Sequence, residues 1–271
     1  TGTNGKTTVT LLITHVLRSA GVPARALGNV GVPISRYAMS PVFDEVLVVE
    51  LSSFQLERFH SKVLDAGIFL NLTNDHLDRH GSMESYARAK ANIESLCKQG
   101  SAFFVQKQVQ AIFPQLFSSN VRTFSGQEDP DFSFLRGFER MNAEAAWLIC
   151  SQFGVKKKSF FQAFATFQKP LHRLEFVTEI EGIKFYDDSK ATNVDAVIQA
   201  VMSLEGSLIL LAGGVDKGAS FKPWIEAFKG KVHQLVLFGQ AACCIESEIG
   251  LFFNVKIVES LKCAVQLAYE Q

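Results

Sequence analysis

Net charge, long apolar runs and paired cysteine spacings are all missing from this chain, and each absence excludes a class of function. Its 27 basic residues are balanced by 27 acidic ones. No global field therefore draws it to a phosphate backbone or an anionic lipid surface, and neither nucleic acid nor membrane is expected as a partner. No apolar run approaches the ~18 to 20 residues of a membrane span, and no basic stretch followed by an apolar one opens the chain. A cytoplasmic protein is expected. The five cysteines, Cys97, Cys150, Cys243, Cys244 and Cys263, are odd in number, form no Cys-x-x-Cys pair and lie in apolar stretches. They read as reduced and structural, with Cys243-Cys244 a core pair. Low-complexity segments and short-period repeats are absent as well.

At one domain per ~100 to 200 residues, the 271 residues suggest two domains, each able to bury a core. Phe is abundant, and Phe160, Phe164 and Phe167 fall at the spacing of one helical face, which reads as core packing.

Thr1-Gly2-Thr3-Asn4-Gly5-Lys6-Thr7-Thr8 reads as the distal part of a phosphate-binding loop. Gly2 and Gly5 let the backbone approach oxygen atoms closely. Backbone N–H groups at a helix start favour an anion, Lys6 can bridge phosphates and Thr7 can ligate Mg²⁺. Such a loop normally follows a buried strand, so upstream residues are expected to be missing. The following segment, Val9 to Ala20, has helical periodicity and stops at Gly21-Val22-Pro23.

Val46 to Val49 reads as a buried strand ending in Glu50, and Ala66 to Leu70 as another, ending in Asn71-Leu72-Thr73-Asn74-Asp75-His76. Ser82 to Cys97 reads as a helix capped by Ser82. Strands at 102–105 and 121–124 alternate with helices at 142–153 and 159–167, which implies a parallel α/β sheet.

The texture changes after Lys169-Pro170, and the domain boundary is placed near residue 168. Strands 174–180 and 183–187 flank Glu181-Gly182, a hairpin turn. A helix at 193–204, a strand at 208–211 ending at Gly213-Gly214, a helix at 221–228, a strand at 232–238 and two further helices make a second α/β unit.

Several residues keep two readings. Glu50 at a strand end suits a metal-binding acid and equally an ordinary exposed carboxylate. His76 suits a metal or phosphate role and equally a solvated turn. Asp187 to Asn193 reads as a capped helix start, yet Lys190 at the positive end of a helix favours an anion there. Lys217 follows the Gly213-Gly214 turn in a similar setting. Lys156-Lys157-Lys158 reads as a solvated helix start, and Lys90, by spacing alone, as an exposed helical lysine.

Six blocks then match one family in order: residues 1–8, Gly28-Asn29-Val30-Gly31, Glu50-Leu51-Ser52-Ser53-Phe54-Gln55-Leu56-Glu57, residues 71–79, His172-Arg173, and Asp188-Ser189-Lys190-Ala191-Thr192-Asn193. The chain resembles the Mur ligases over almost its whole length, and among them the member that adds D-glutamate.

The resemblance implies an α/β fold. A central P-loop ATPase domain with a mainly parallel sheet, residues 1–168, would precede a truncated Rossmann-like domain, residues 169–271. The first of three family domains and the closing segment of the third would lie outside this sequence. The implied reaction joins D-glutamate to UDP-N-acetylmuramoyl-L-alanine through an acyl phosphate, with ATP and Mg²⁺, in a monomeric enzyme of peptidoglycan synthesis.

By the same resemblance Gly2, Thr3, Asn4, Gly5, Lys6, Thr7, Thr8, Asn29, Asn142, Arg173 and Asp188 bind the nucleotide, with Asn142 facing adenine. Thr7 and Glu50 hold one Mg²⁺, and His76 with a carbamylated Lys90 a second. Ser52, Lys190, Thr192 and Lys217 meet substrate, and Lys6, His76 and Lys90 carry the catalysis.

One departure stands out, because Phe138-Glu139 replaces the family's usual His-Asn. A related ligase such as folylpolyglutamate synthetase would share the loop and domain order but lack the Asp-Ser-Lys-Ala-Thr-Asn block. A nucleotide-dependent switch would need an Asn-Lys-x-Asp sequence, which is absent. A nucleotide-binding but catalytically incomplete fragment is the third reading.

Overall fold

A computed structural model describes residues 1–216 and 218–270. By contact the chain divides into two compact units, residues 1–73 with 80–171, and residues 74–79 with 172 onward.

The first unit opens with the loop and helix α1 (Lys6–Ser19), followed by β1 (Ala24–Gly28), α2 (Ile34–Ala38), β2 (Val46–Glu50), α3 (Ser53–Leu56) and β3 (Leu64–Phe69). After the single turn α4 (Leu77–His80) come α5 (Met83–Ser95), β4 (Cys97–Gln106), α6 (Lys107–Ile112), β5 (Arg122–Phe124), α7 (Gly137–Gln152) and α8 (Lys157–Phe164). Strands β1 and β2 pair in parallel, as do β3, β4 and β5 in that order. Both parallel ladders are connected through helices, as parallel strands require.

Helix α1 begins where its sequence says it should. Gly5 adopts φ 83° and supplies the turn, and Leu12, Val16 and Leu17 line one buried face. That face packs on Ala143, Ala146 and Ile149 of α7 and on Phe160 of α8. Each such fully buried side chain contributes roughly 1.5 to 3 kcal/mol. Phe160 is completely buried, while Phe164 and Phe167 pack partly buried against the same core, so the expected face is present. The helix ends at Phe164, three residues earlier than the periodicity suggests.

The second unit contains β6 (Glu175–Ile180), β7 (Ile183–Asp187), α9 (Val194–Ser203), β8 (Leu208–Gly213), α10 (Pro223–Phe228), β9 (Val232–Phe238), α11 (Ala242–Ile249), β10 (Asn254–Ile257) and α12 (Leu261–Tyr269). The expected hairpin is there, since β6 and β7 are antiparallel and Glu181 and Gly182 take φ 52° and 83°. Both central residues at positive φ match a type I′ turn, whose twist suits a hairpin. Strands β10, β9 and β8 form a parallel sheet in that order, over a core that includes Trp224, Phe228, Leu235 and Leu237.

Three sequence expectations need correction. Cys243 is exposed and Cys244 half-buried, so they are not a core pair, because α11 turns Ala242 and Ile245 inward instead. Strands β1 and β10 were not anticipated. Their short polar-flanked runs gain strand geometry from pairing with β2 and β9. Finally, Lys157 is not simply solvated, since it bridges Asp129 at 2.7 Å and Asp131 at 2.6 Å.

All five cysteines are free. Burial pushes the thiols of Cys97 and Cys150 up to about 11 and about 12, so neither is a thiolate at neutral pH. Among the described residues no helix is long and apolar enough to cross a membrane.

Candidate active site

The loop of residues 1–8 lies at the carboxyl ends of β2 and β3, where ligands gather in open α/β sheets. Its first residues are fixed by backbone pairing. The amino group of Thr1 donates to Ile68 O at 2.9 Å, Leu70 N donates to Thr1 O, and Thr3 N donates to Asn71 O. The Thr1 hydroxyl donates to Leu51 O at 2.7 Å, which ties the loop to the segment leaving β2.

Asn71 then clamps the loop, its Oδ1 accepting from Asn4 N at 2.8 Å and its amide donating to Asn4 O at 3.0 Å. Sequence reasoning placed Asn71 in a polar loop but gave it no role. An Asn directly after a buried strand, facing a glycine loop, is the signal that could have found it.

Two glycines are sterically obligatory. A side chain at Gly2 would press on Leu70 Cβ, and one at Gly5 would overlap Asn142 Oδ1. Asn142 is buried on α7, and its Oδ1 has no hydrogen-bond partner among the described residues. One turn earlier on α7, Phe138 packs against the core and Glu139 pairs with Lys169 at 3.0 Å.

Lys6 begins α1, and its Nζ donates to Thr3 O at 2.8 Å. Gly5 provides no side-chain cap. A helix start with a glycine before it presents its amides and its positive dipole end toward the loop, which is the property that makes such a start suited to an anion.

Glu50 is not an ordinary exposed carboxylate. It is only 2% exposed; one carboxylate oxygen accepts from Asn29 Nδ2 at 2.8 Å, and the other is buried without a hydrogen-bond partner among the described residues. A buried carboxylate oxygen left so is costly and calls for a cation. Asn29 is held in turn by its own N–H to Glu50 O at 3.0 Å. Thus the chain supplies, in one place, loop amides, a lysine and an unsatisfied acid, the donor set that suits a magnesium nucleotide.

Lys90 also departs from the surface reading, being 1% exposed. It donates to Gly2 O at 2.8 Å and lies 4.6 Å from the centre of the Tyr86 ring. Tyr86 OH and Thr3 Oγ1 are 3.4 Å apart. Ser52 caps α3 in a reciprocal box with Gln55. Tyr86 and Ser53 were not singled out from the sequence, because nothing in a local window shows that a tyrosine or serine will be buried.

His76 takes φ 54°, and its Nε2 is 3.6 Å from Asp75 Oδ2. It belongs to residues 74–79 of the second unit. In that unit Leu174 N donates to Asp188 Oδ1 at 3.0 Å, while burial pushes the Asp188 carboxyl up. Lys190 N donates to His172 O, which pins the start of the Asp188-to-Asn193 block to the His172-Arg173 pair. Thr192 precedes Asn193, which caps α9 through Oδ1 and Ala196 N at 2.9 Å. Lys217 lies outside the described residues.

Comparison with known proteins gives the family and the fold. The chain matches the Mur ligase middle domain over residues 1–180 and the Mur ligase, glutamate ligase domain over residues 172–271. It is 44% identical to UDP-N-acetylmuramoylalanine--D-glutamate ligase of Protochlamydia amoebophila, over all of this chain and 66% of that enzyme, just under two thirds. Its fold is similar to that of MurF from Acinetobacter baumannii, with a TM-score of 0.77 and 16% identity, covering 99% of this chain and 68% of that one. It is also similar to MurF ligase from Thermotoga maritima in complex with ADP, with a TM-score of 0.74 and 17% identity, covering 100% and 72%.

Proposed function

The chain belongs to the Mur ligase family, and from that premise we propose that it forms the nucleotide-binding and amino-acid-side parts of an ATP-dependent ligase. The ligase adds D-glutamate to UDP-N-acetylmuramoyl-L-alanine. The observation that carries the reading is the buried Glu50 carboxylate, one oxygen held by Asn29 and the other without a hydrogen-bond partner among the described residues, at the strand end tied to the glycine loop.

In this reading the loop amides and Lys6 bind the β- and γ-phosphates, and Thr7 and Glu50 hold one magnesium ion. Magnesium, when bound, supplies positive charge at the phosphate oxygens. The alanyl carboxylate of the acceptor attacks the γ-phosphorus, ADP leaves, and the amine of D-glutamate attacks the acyl carbon of the mixed anhydride. Phosphate leaves with the C–O bonding pair, the amine loses one proton, and an amide remains. Such chemistry needs alignment and charge neutralisation more than a strong acid or base. Asn142 faces the adenine side, and Arg173 and Asp188 serve the nucleotide. Ser52, Lys190, Thr192 and Lys217 serve the substrates, whose carboxylates call for cationic and hydroxyl partners. The Asp188-to-Asn193 block favours D-glutamate addition over the folylpolyglutamate alternative.

Lys90 has a specific part. An ammonium cannot ligate magnesium, which takes oxygen donors. Reaction of the neutral amine with CO₂ forms an N–C bond and releases a proton, giving a carbamate with two oxygens that would serve a second ion together with His76. Its burial beside Gly2 supports this assignment. Lys90→Arg keeps the cation but cannot form the carbamate. It is expected to be inactive, while the unmodified enzyme should lose activity in CO₂-depleted buffer and regain it with bicarbonate. A fully active Lys90→Arg enzyme indifferent to bicarbonate refutes the carbamate.

The metal-side reading is tested by calorimetric titration of ATP with and without Mg²⁺. Glu50→Ala should abolish the gain in ATP affinity that Mg²⁺ provides, and an undiminished gain would remove Glu50 from the site.

A further inference from the structure

His80 is a buried side chain of the first unit that the reaction as described does not use. Its side chain is 3% exposed. Nδ1 lies 3.3 Å from Glu57 Oε1, and Nε2 is hydrogen-bonded with the Ser53 hydroxyl at 3.0 Å. The ring nitrogens therefore contact α3 at Ser53 and the Glu57 that caps its C-terminal end, and the ring also stacks on Phe54 of that helix at 5.6 Å. The ring also lies against Tyr86, 5.1 Å away between ring centroids.

These contacts join the two segments that bear proposed metal donors. Helix α3 starts three residues after Glu50, and the intervening Leu51 carbonyl accepts from the Thr1 hydroxyl. Tyr86 precedes Lys90 by one turn of α5, so the two share a face. The Tyr86 ring lies beneath the Lys90 nitrogen, and its hydroxyl is 3.4 Å from Thr3 Oγ1. The imidazole thus spans the path from Glu50 to Lys90.

We infer that His80 is a positioning residue that sets the spacing between the Glu50 segment and the Lys90 helix, and so tunes the metal side of the site. The hydrogen bond with Ser53 and the contact with Glu57 fix the ring against α3 and the residue that caps its end, while its face lies on Tyr86 of α5. A misplacement of ~1 Å in a reacting geometry can cost about 100-fold in rate, and supporting partners of metal ligands commonly matter by about 10- to 100-fold.

The inference rests on the ligase reading, and the full-length protein carrying this chain tests it with two readouts. One is ligase kinetics; the other is Mn²⁺ binding in the presence of ATP, followed by loss of the free-ion paramagnetic resonance signal. His80→Phe keeps the ring and removes both polar contacts. It is expected to lower kcat by about 10-fold or more and to weaken Mn²⁺ binding by about 10-fold, with KM for ATP within about twofold. His80→Gln, which can still reach the Ser53 hydroxyl, should recover a substantial part of both losses.

Unchanged kcat and Mn²⁺ binding in both variants, whatever their melting temperatures, would overturn the inference. So would a loss confined to KM for ATP. If His80→Phe does not fold, Ser53→Ala takes its place. Weakened Mn²⁺ binding there supports the inference and unaltered binding overturns it. An unmodified protein that makes no product fails the ligase reading, whereas an active one with indifferent variants fails only the role of His80.

Discussion

Lys6→Ala should cut turnover of the full-length enzyme by at least ~10³-fold, the scale of losing a transition-state charge contact in phosphoryl transfer. The melting temperature should hardly move, since Lys6 sits partly exposed at a helix start. Near-normal turnover by a folded variant would remove Lys6 from the chemistry. Glu144 offers a different test. It is buried on α7, one oxygen lacks a hydrogen-bond partner among the described residues, and burial raises its pKa above the usual 4.5. A carboxyl with a raised folded-state pKa favours the fold while protonated, and that contribution is lost as pH climbs from about 4.5 through the raised value. Glu144→Gln cannot ionise, so its melting temperature relative to the unmodified protein should rise between pH 4.5 and pH 7. A constant or falling difference would show that Glu144 does not titrate in this way.

Residue identities were legible where the motif itself dictates them. Gly2, Gly5 and Lys6 follow from phosphate-loop chemistry, and Gly5 with φ 83° against Asn142 shows the steric reason. Burial was not legible. Glu50 and Lys90 are charged side chains, and their local windows cannot reveal that the fold closes over them. For the same reason Asn71, Tyr86 and His80, whose contacts to the loop and to α3 come from elsewhere in the sequence, passed unnoticed.

At the scale of elements, the helices and strands with clear periodicity matched best. Helix α5 starts after Ser82, whose hydroxyl accepts from Ser85 N at 3.2 Å, as the cap predicted. Strands β1 and β10 escaped because their assignment depends on pairing partners rather than on their own residues. The β6–β7 hairpin was readable from its turn, and that turn can be improved. Glu181 holds φ 52° without the local hydrogen bonding that lets Asn tolerate it. Glu181→Asn would create the preferred Asn-Gly pair and should stabilise the second unit by about 0.5 to 1 kcal/mol. Chemical denaturation checks this, and no gain would mean that Glu181 makes compensating contacts.

For the whole molecule, each of the two units has its own buried core, and the phosphate loop belongs wholly to the first. A ligand that binds only the folded first unit stabilises it by mass action, about 2.7 kcal/mol at 100 times Kd. In the proposed function these residues serve a ligase that couples ATP cleavage to D-glutamate addition. Phosphate release by the full-length protein, measured with UDP-N-acetylmuramoyl-L-alanine, D-glutamate, ATP and Mg²⁺, and with each omitted in turn, tests it most directly. The expected result is release that requires all four and is matched mole for mole by the amide product. Release that ignores the acceptor or D-glutamate, or that is supported instead by a folate and L-glutamate, would contradict it.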